Sequence, residues 1–258
     1  MQLIDSHVNL HAEAFAEDLP QVLQRAAEAG VARMLAICDR MGNAERVSAI
    51  AAATPGVYAS VGAHPHYAKE HQTLSSAALL EHVAGPVIAI GETGLDLHYG
   101  FSPLEDQAAV FRAHIGAARQ SGLPLIVHTR NADTLTADIL EEEHAKGAFP
   151  ILLHCYTSGP ELAARAFALG AYISFSGILT FKNAEDVRAI ARTAPLERVI
   201  LETDCPYLAP VPHRGRRCEP AMVAEVYAAF ARLRGIAEGE LAELVWRNFF
   251  ALFRAARP

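Results

Sequence analysis

Eight short apolar runs, each followed by a stretch with helical spacing, occupy nearly the whole of this chain. The runs are 2-QLIDSH-7, 31-VARMLAIC-38, 57-VYASVGAH-64, 87-VIAIGE-92, 124-PLIVHTR-130, 150-PILLHC-155, 171-AYISFSG-177 and 199-VILETD-204. The fourth is apolar or small at consecutive positions and bounded by Gly, the pattern of a strand covered on both faces. Segments 19–30, 43–54, 75–85, 103–122, 134–147, 160–170 and 184–194 carry helix-period apolar spacing, and several stop at a Gly just before the next strand. Short connections and strict alternation fit a parallel sheet, and eight units suggest closure into a single (β/α)8 TIM-type barrel spanning 1–258. A doubly wound open sheet is the alternative, disfavoured because no Gly-rich dinucleotide turn follows the first strand. A polar loop, 205–220, follows the last strand, and helices are expected over 221–234 and 238–253.

At 52% hydrophobic with mean hydropathy +0.15, the chain has material for one large core and does not read as disordered. No run approaches membrane-spanning length, and the start lacks a basic n-region, so neither a membrane span nor export is expected. Cys38, Cys155, Cys205 and Cys218 show no CxxC spacing and read as small buried thiols of a reducing, cytoplasmic compartment. The net charge of −7 argues against whole-molecule attraction to nucleic acid, so any polyanion must meet a local basic patch. No obligate protein partner is evident and a monomer is expected.

Barrel enzymes carry their chemistry where strands give way to the following loops. Here those positions hold Asp5, His7 and Asn9; His64 and His66; Glu92; His128 and Arg130; His154; and Asp204. A lone strand-end His is more often a satisfied core residue than a ligand. Several imidazoles and two carboxylates brought to one barrel mouth would suffer a heavy desolvation penalty unless they were paired. With no organised thiolate, the set describes a site of nitrogen and oxygen ligands for Mg, Mn or Zn. Each neutral His then needs an acceptor on its second ring nitrogen, and Asp5 is the one expected for His7. Glu92 can bridge two ions, and a pair of ions about 3.5–4 Å apart is the usual device for hydrolysing phosphate esters.

The segments DSHVNL (5–10), GAHPH (62–66), GETGLD (91–96), HTR (128–130), HCYTSG (154–159), ETDCPYLAP (202–210) and RGRRCEP (214–220) resemble the TatD family of metal-dependent deoxyribonucleases, in order and over nearly the whole chain. The resemblance implies a TIM-type barrel, a two-metal site and hydrolysis of DNA phosphodiesters, often as a 3′→5′ exonuclease. Carried over by position, His7 and Asp204 hold a first metal, Glu92 bridges, and His128 and His154 complete a second. Asp204 also orients or deprotonates the attacking water. Asn9 stands where the family usually has a second His. Its carbonyl oxygen is a weaker, harder donor, which weakens the first site or favours Mg or Mn over Zn. His11 is next in the same period-2 series but is expected beyond the strand. Cys218, where the family often has Asn, is a smaller departure.

For substrate, the loop 213-HRGRR-217 is the only dense basic cluster, and its place after strand eight suits phosphate binding by Arg214; its plainer reading is a solvated loop balancing nearby acids. Arg130 reads either as a phosphate clamp or as a partner of Asp133. His64 and His66 could bind phosphate, protonate a leaving group or hold a further ion. Tyr67, Tyr99 and Phe101 fall in mouth loops, where they could stack on a base or cover the core. The leading expectation is a metal-dependent hydrolase acting on DNA ends. The alternatives are hydrolysis of another ester or amide, such as an aminoacyl-tRNA or a small metabolite, and a binding protein whose site has decayed at Asn9.

Overall fold

Each apolar run becomes a strand whose two faces are both covered, by the barrel interior on one side and the helical layer on the other. The computed structural model describes residues 1–257, and in it β1 (Leu3–Val8), β2 (Val31–Ala36), β3 (Val57–Val61), β4 (Val87–Asp96), β5 (Leu125–Arg130), β6 (Ile151–Leu153), β7 (Tyr172–Phe175) and β8 (Val199–Leu201) pair in parallel in sequence order. Sequential order excludes the doubly wound sheet, whose strand order reverses at a switch point. The helices α1 (Leu19–Glu28), α2 (Ala44–Ala53), α3 (Ser76–Leu80), α4 (Leu104–Ser121), α5 (Asp133–Ala145), α6 (Pro160–Ala168), α7 (Glu185–Thr193), α8 (Val223–Arg234) and α9 (Glu238–Leu252) surround the barrel. None of them is long and apolar enough to cross a membrane.

The seam between β8 and β1 closes differently from the other ladders. A single bridge, Val8 to Cys205, joins the strand ends, with Asp204 N donating to His7 O (3.0 Å) and Asn9 N to Cys205 O (2.9 Å). Deeper in, the Asp5 carboxylate clasps Thr203, accepting from its backbone N–H (2.8 Å) and pairing with its hydroxyl (2.6 Å). Asn248 of α9 donates to the carbonyls of Leu196 and Val199 and so pins the start of β8 from outside.

Register shifts aim the site. On β4, three residues from Ile90 to Thr93 oppose two on β5, a bulge that contains Glu92. On β1, Asp5 to Val8 opposes Met34 to Ala36, a second bulge that contains His7. A bulge turns a side chain out of simple alternation, here toward the mouth. The chain can bulge at Glu92 because its neighbour is Gly91, at φ +127, where a Cβ would meet the Ile126 carbonyl at 2.7 Å. Gly62 on the other side is equally tight, since a Cβ there would lie 2.5 Å from Gly91 C.

Several strands are shorter than their apolar runs. β3 ends at Val61, so His64 lies in the loop entering a 3₁₀ turn at Pro65–Glu70. β8 ends at Leu201, so Asp204 stands three residues beyond it, at φ +61. β4 instead runs four residues past Glu92, to Asp96.

Candidate metal centre

Glu92 is the hub of the mouth. His64 Nε2, His128 Nδ1 and His154 Nε2 lie 3.3, 3.3 and 2.7 Å from its Oε1, and His7 Nε2 lies 3.3 Å from Oε2. Glu92, His7 and His154 are almost wholly buried. The His7 and His154 rings stack at 4.0 Å, yet neither Nε2 makes a hydrogen bond, close as each is to the carboxylate. Those nitrogens are out of line for Glu92 and converge on the space beside it.

The electrostatics agree that the space suits positive charge. Burial would raise the Glu92 carboxyl, but the imidazoles of His154, His64 and His7 hold it well below the usual carboxylate range. Burial likewise works against protonation of His154 and His128, yet Glu92 with Glu202 pushes the first well up, and Asp96 with Glu92 raises the second.

Hydrogen-bond partners sort the histidines by tautomer, since the nitrogen facing an obligate acceptor carries the proton. His154 Nδ1 faces Glu202 Oε1 at 3.3 Å, and His128 Nε2 faces Asp96 Oδ2 at 3.1 Å. The nitrogen each ring turns toward Glu92 is then the one that can give up its proton and offer a lone pair to a cation, as a metal ligand must. His64 is wired the other way. Its Nδ1 accepts from the His66 backbone N–H at 3.1 Å, and burial pushes its pKa down to about 4. The neutral ring therefore has its one proton on Nε2, aimed into the mouth. Proximity groups His64 with Glu92 and His128 as a possible metal cluster; the tautomer argues that His64 is a donor there.

Asp204 Oδ1 lies 3.6 Å from His7 Nε2, and burial raises its carboxyl to about 6 against the pull of His7 and His154. Asn9 Nδ2 donates to Cys205 O (3.1 Å) and sits 3.4 Å from Asp204 Oδ1. A carbonyl accepts only, so the amide nitrogen is fixed on that side, and Asn9 can offer a metal only its Oδ1. His11 lines the same cleft, with its Nε2 2.9 Å from Asp39 Oδ1 and its Nδ1 buried without a hydrogen-bond partner among the described residues.

A cleft of about 860 Å³ opens over this cluster, lined by Asn9, His64, His66, Arg130, Tyr99 and Arg46 among others. The structure thus brings His7, Asn9, His64, His66, Glu92, His128, Arg130, His154 and Asp204 to one mouth. It corrects two expectations. Arg214 is not at the mouth: its guanidinium lies over the Phe181 ring at 3.7 Å and donates to Ala209 O. The loop is folded back because Arg217 binds Asp18 and Glu219 at 2.7 and 2.8 Å. Asp5 does not hold the His7 ring either, being committed to the Thr203 clasp and, at 3.4 Å, to the His7 backbone N–H. Arg130 pairs with Tyr99, whose hydroxyl is 3.2 Å away, while Asp133 accepts from Gly159 N.

Three functional residues escape the sequence reading. Glu202 and Asp96 orient the ligand rings, and Arg46 of α2 brings to the mouth a charge with no carboxylate partner among the described residues. Asp96 was legible in principle, as the carboxylate that closes the GETGLD segment.

The family profile described as TatD related DNase matches residues 4–254. An uncharacterized metal-dependent hydrolase of Escherichia coli K12, YcfH, is 40% identical over 256 residues, covering 98% of this chain and 96% of that protein. A Pantoea vagans protein named 3′-5′ ssDNA/RNA exonuclease TatD is 32% identical over 261 residues, covering 98% of this chain and all (100%) of its own. The crystal structure of YJJV, a TatD homolog from Escherichia coli K12, superposes with a TM-score of 0.91 at 29% identity over 98% of both chains. With an imidazole–carboxylate mouth on a sequential eight-stranded barrel, and these matches from end to end, the chain belongs to the TatD-related DNase family of metal-dependent hydrolases.

Proposed function

We propose that this enzyme hydrolyses phosphodiester bonds at nucleic-acid ends, most simply single-stranded DNA from its 3′ end, with two divalent cations in the mouth. One observation carries the metal part: the buried Nε2 atoms of His7 and His154 lie beside Glu92 without a hydrogen bond. Buried polar atoms are rarely left so, and the donor set suits Mg, Mn or Zn. His7 and Asp204 would hold one ion, His128 and His154 the other, with Glu92 shared. A divalent cation there supplies positive charge to the phosphoryl oxygens and makes water a stronger acid.

The remaining chemistry falls to the chain's own groups. Asp204 accepts the proton of the attacking water, a role that suits a carboxylate raised to about 6. His64 presents its Nε2 proton to the phosphate or to the departing oxygen. Arg130 and Arg46, neither paired with a carboxylate among the described residues, offer charge to the phosphate chain from the mouth wall. His66, held by Asp96 at 2.9 Å, lines the same wall.

The nucleic-acid substrate is supported by the family's description and by the name of the Pantoea vagans relative. Hydrolysis of an aminoacyl-tRNA ester or of a small metabolite would use the same water chemistry; the Arg130 and Arg46 guanidiniums favour a polyanion over a small metabolite, and the substrate panel separates DNA from tRNA. The test is a panel of labelled oligonucleotides, aminoacyl-tRNA and simple esters, run after EDTA treatment and after restoring Mg or Mn. Cleavage of the oligonucleotides that needs added metal and disappears in Glu92→Ala supports the reading. Full activity in EDTA, or in Glu92→Ala, overturns it.

A further inference from the structure

The β4–α4 loop carries large apolar side chains into solvent at the edge of the mouth: Tyr99 is 48% exposed and Phe101 53%. Neither is among the buried residues of the barrel's hydrophobic core. Their rings are parallel within 5°, with centroids 5.3 Å apart, and the Arg130 guanidinium lies 4.8 Å from the Tyr99 ring centre. Tyr99 and Arg130 line the mouth itself, and Phe101 extends the surface beyond it, edge-on to His66 at 4.8 Å.

Exposed rings on a floppy loop would mean little, but this loop is fastened. Asp96 Oδ1 accepts from the backbone N–H groups of His98 and Tyr99 at 2.9 and 3.0 Å. Buried Gln107 of α4 donates to the carbonyls of Asp96 and Ser102, and the Ser102 hydroxyl donates to His66 O at 2.9 Å. The same carboxylate that orients His128 therefore sets the height of the aromatic shelf relative to the metal cluster. Arg130 and Thr157 also line a neighbouring hollow of about 560 Å³, so the mouth continues past the shelf as a groove.

We propose that the Tyr99–Phe101 pair is a base-stacking subsite for single-stranded nucleic acid, holding a nucleotide next to the one cleaved, with Arg130 on its phosphate; this rests on the phosphodiesterase reading. The occupant follows from the chemistry of the shelf. The exposed outer surface of the stacked pair offers a flat apolar seat to a base of any sequence, and a guanidinium with no carboxylate partner among the described residues complements the negative charge of a phosphate. A base within a duplex has both faces covered by its neighbours, so the shelf discriminates against paired ends.

The test is fluorescence anisotropy on the Mn-loaded protein with a labelled phosphorothioate decathymidylate, which resists cleavage, and with the same backbone carrying abasic sugars. The wild type should bind the base-bearing strand about 5- to 100-fold more tightly than the abasic one. Phe101→Ala should erase most of that preference, whereas Phe101→Trp should retain it. Equal or absent binding of the two strands by the wild type overturns the proposal. So does a preference that survives both Phe101→Ala and Tyr99→Ala, or tighter binding of the duplex form. Failure of the underlying reading shows separately, as no cleavage of ordinary decathymidylate by the metal-loaded wild type.

Discussion

Nδ1 of His154 lies 3.3 Å from Oε1 of Glu202, whose other oxygen accepts the Ser174 hydroxyl at 2.6 Å. This chain of contacts decides which nitrogen of His154 carries a proton, and so which one is free to bind a cation. Replacing Glu202 by Gln keeps the shape but removes the charge and lets the amide offer its NH₂ to the ring. Metal affinity should fall about 10- to 100-fold. Calorimetric titration with Mn or Zn checks this, and an unchanged isotherm would show that the contact is incidental.

His64 and His128 lie equally close to Glu92, at 3.3 Å, yet their opposite tautomers assign them different work. His128→Ala should lose metal binding along with turnover. His64→Ala should keep a wild-type metal titration while kcat drops about 10²- to 10⁴-fold, the range for a lost acid–base group. Loss of metal in both variants would show that His64 ligates.

Asn9 spends its amide nitrogen on the Cys205 carbonyl. An imidazole there gives the first metal a softer nitrogen donor. Asn9→His should raise Zn affinity about ten-fold and shift preference away from Mg, as competition between the two metals would register. If Zn affinity does not change, position 9 makes no contribution to the site.

Away from the mouth, Glu143 of α5 is buried and would rise for that reason, but bonds from Lys146, Arg119 and Arg112 hold its carboxyl near 2 instead of 4.5. A depressed folded-state pKa adds stability that is complete above about pH 4.5 and is lost as pH falls toward 2. Glu143→Gln should therefore melt below the wild type at neutral pH, with the gap closing over that interval. Thermal melts across the range decide it; a gap independent of pH would mean that packing, not charge, is at stake.

The barrel was legible because its cause is local: each strand and helix announces itself by apolar spacing, and eight such units leave few ways to close. The hub residues were legible because a carboxylate or imidazole at the end of an apolar strand stands out against its surroundings. The orienting carboxylates were hidden by their neighbours. Glu202 sits two residues before Asp204 and Asp96 four after Glu92, so each reads as part of a motif already assigned. The basic loop misled for a different reason. Its excess charge is visible in the sequence, and so is Glu219 two residues on, but the other acid that holds Arg217 is Asp18, 199 positions away, and no local pattern reports it.

The Thr203 clasp ties together two segments 198 positions apart in the chain. His7 stands on one side of that seam and Asp204 on the other. The strands β2 through β7 contribute nothing to that closure, so whatever loosens the seam parts these two side chains while leaving the rest of the barrel paired.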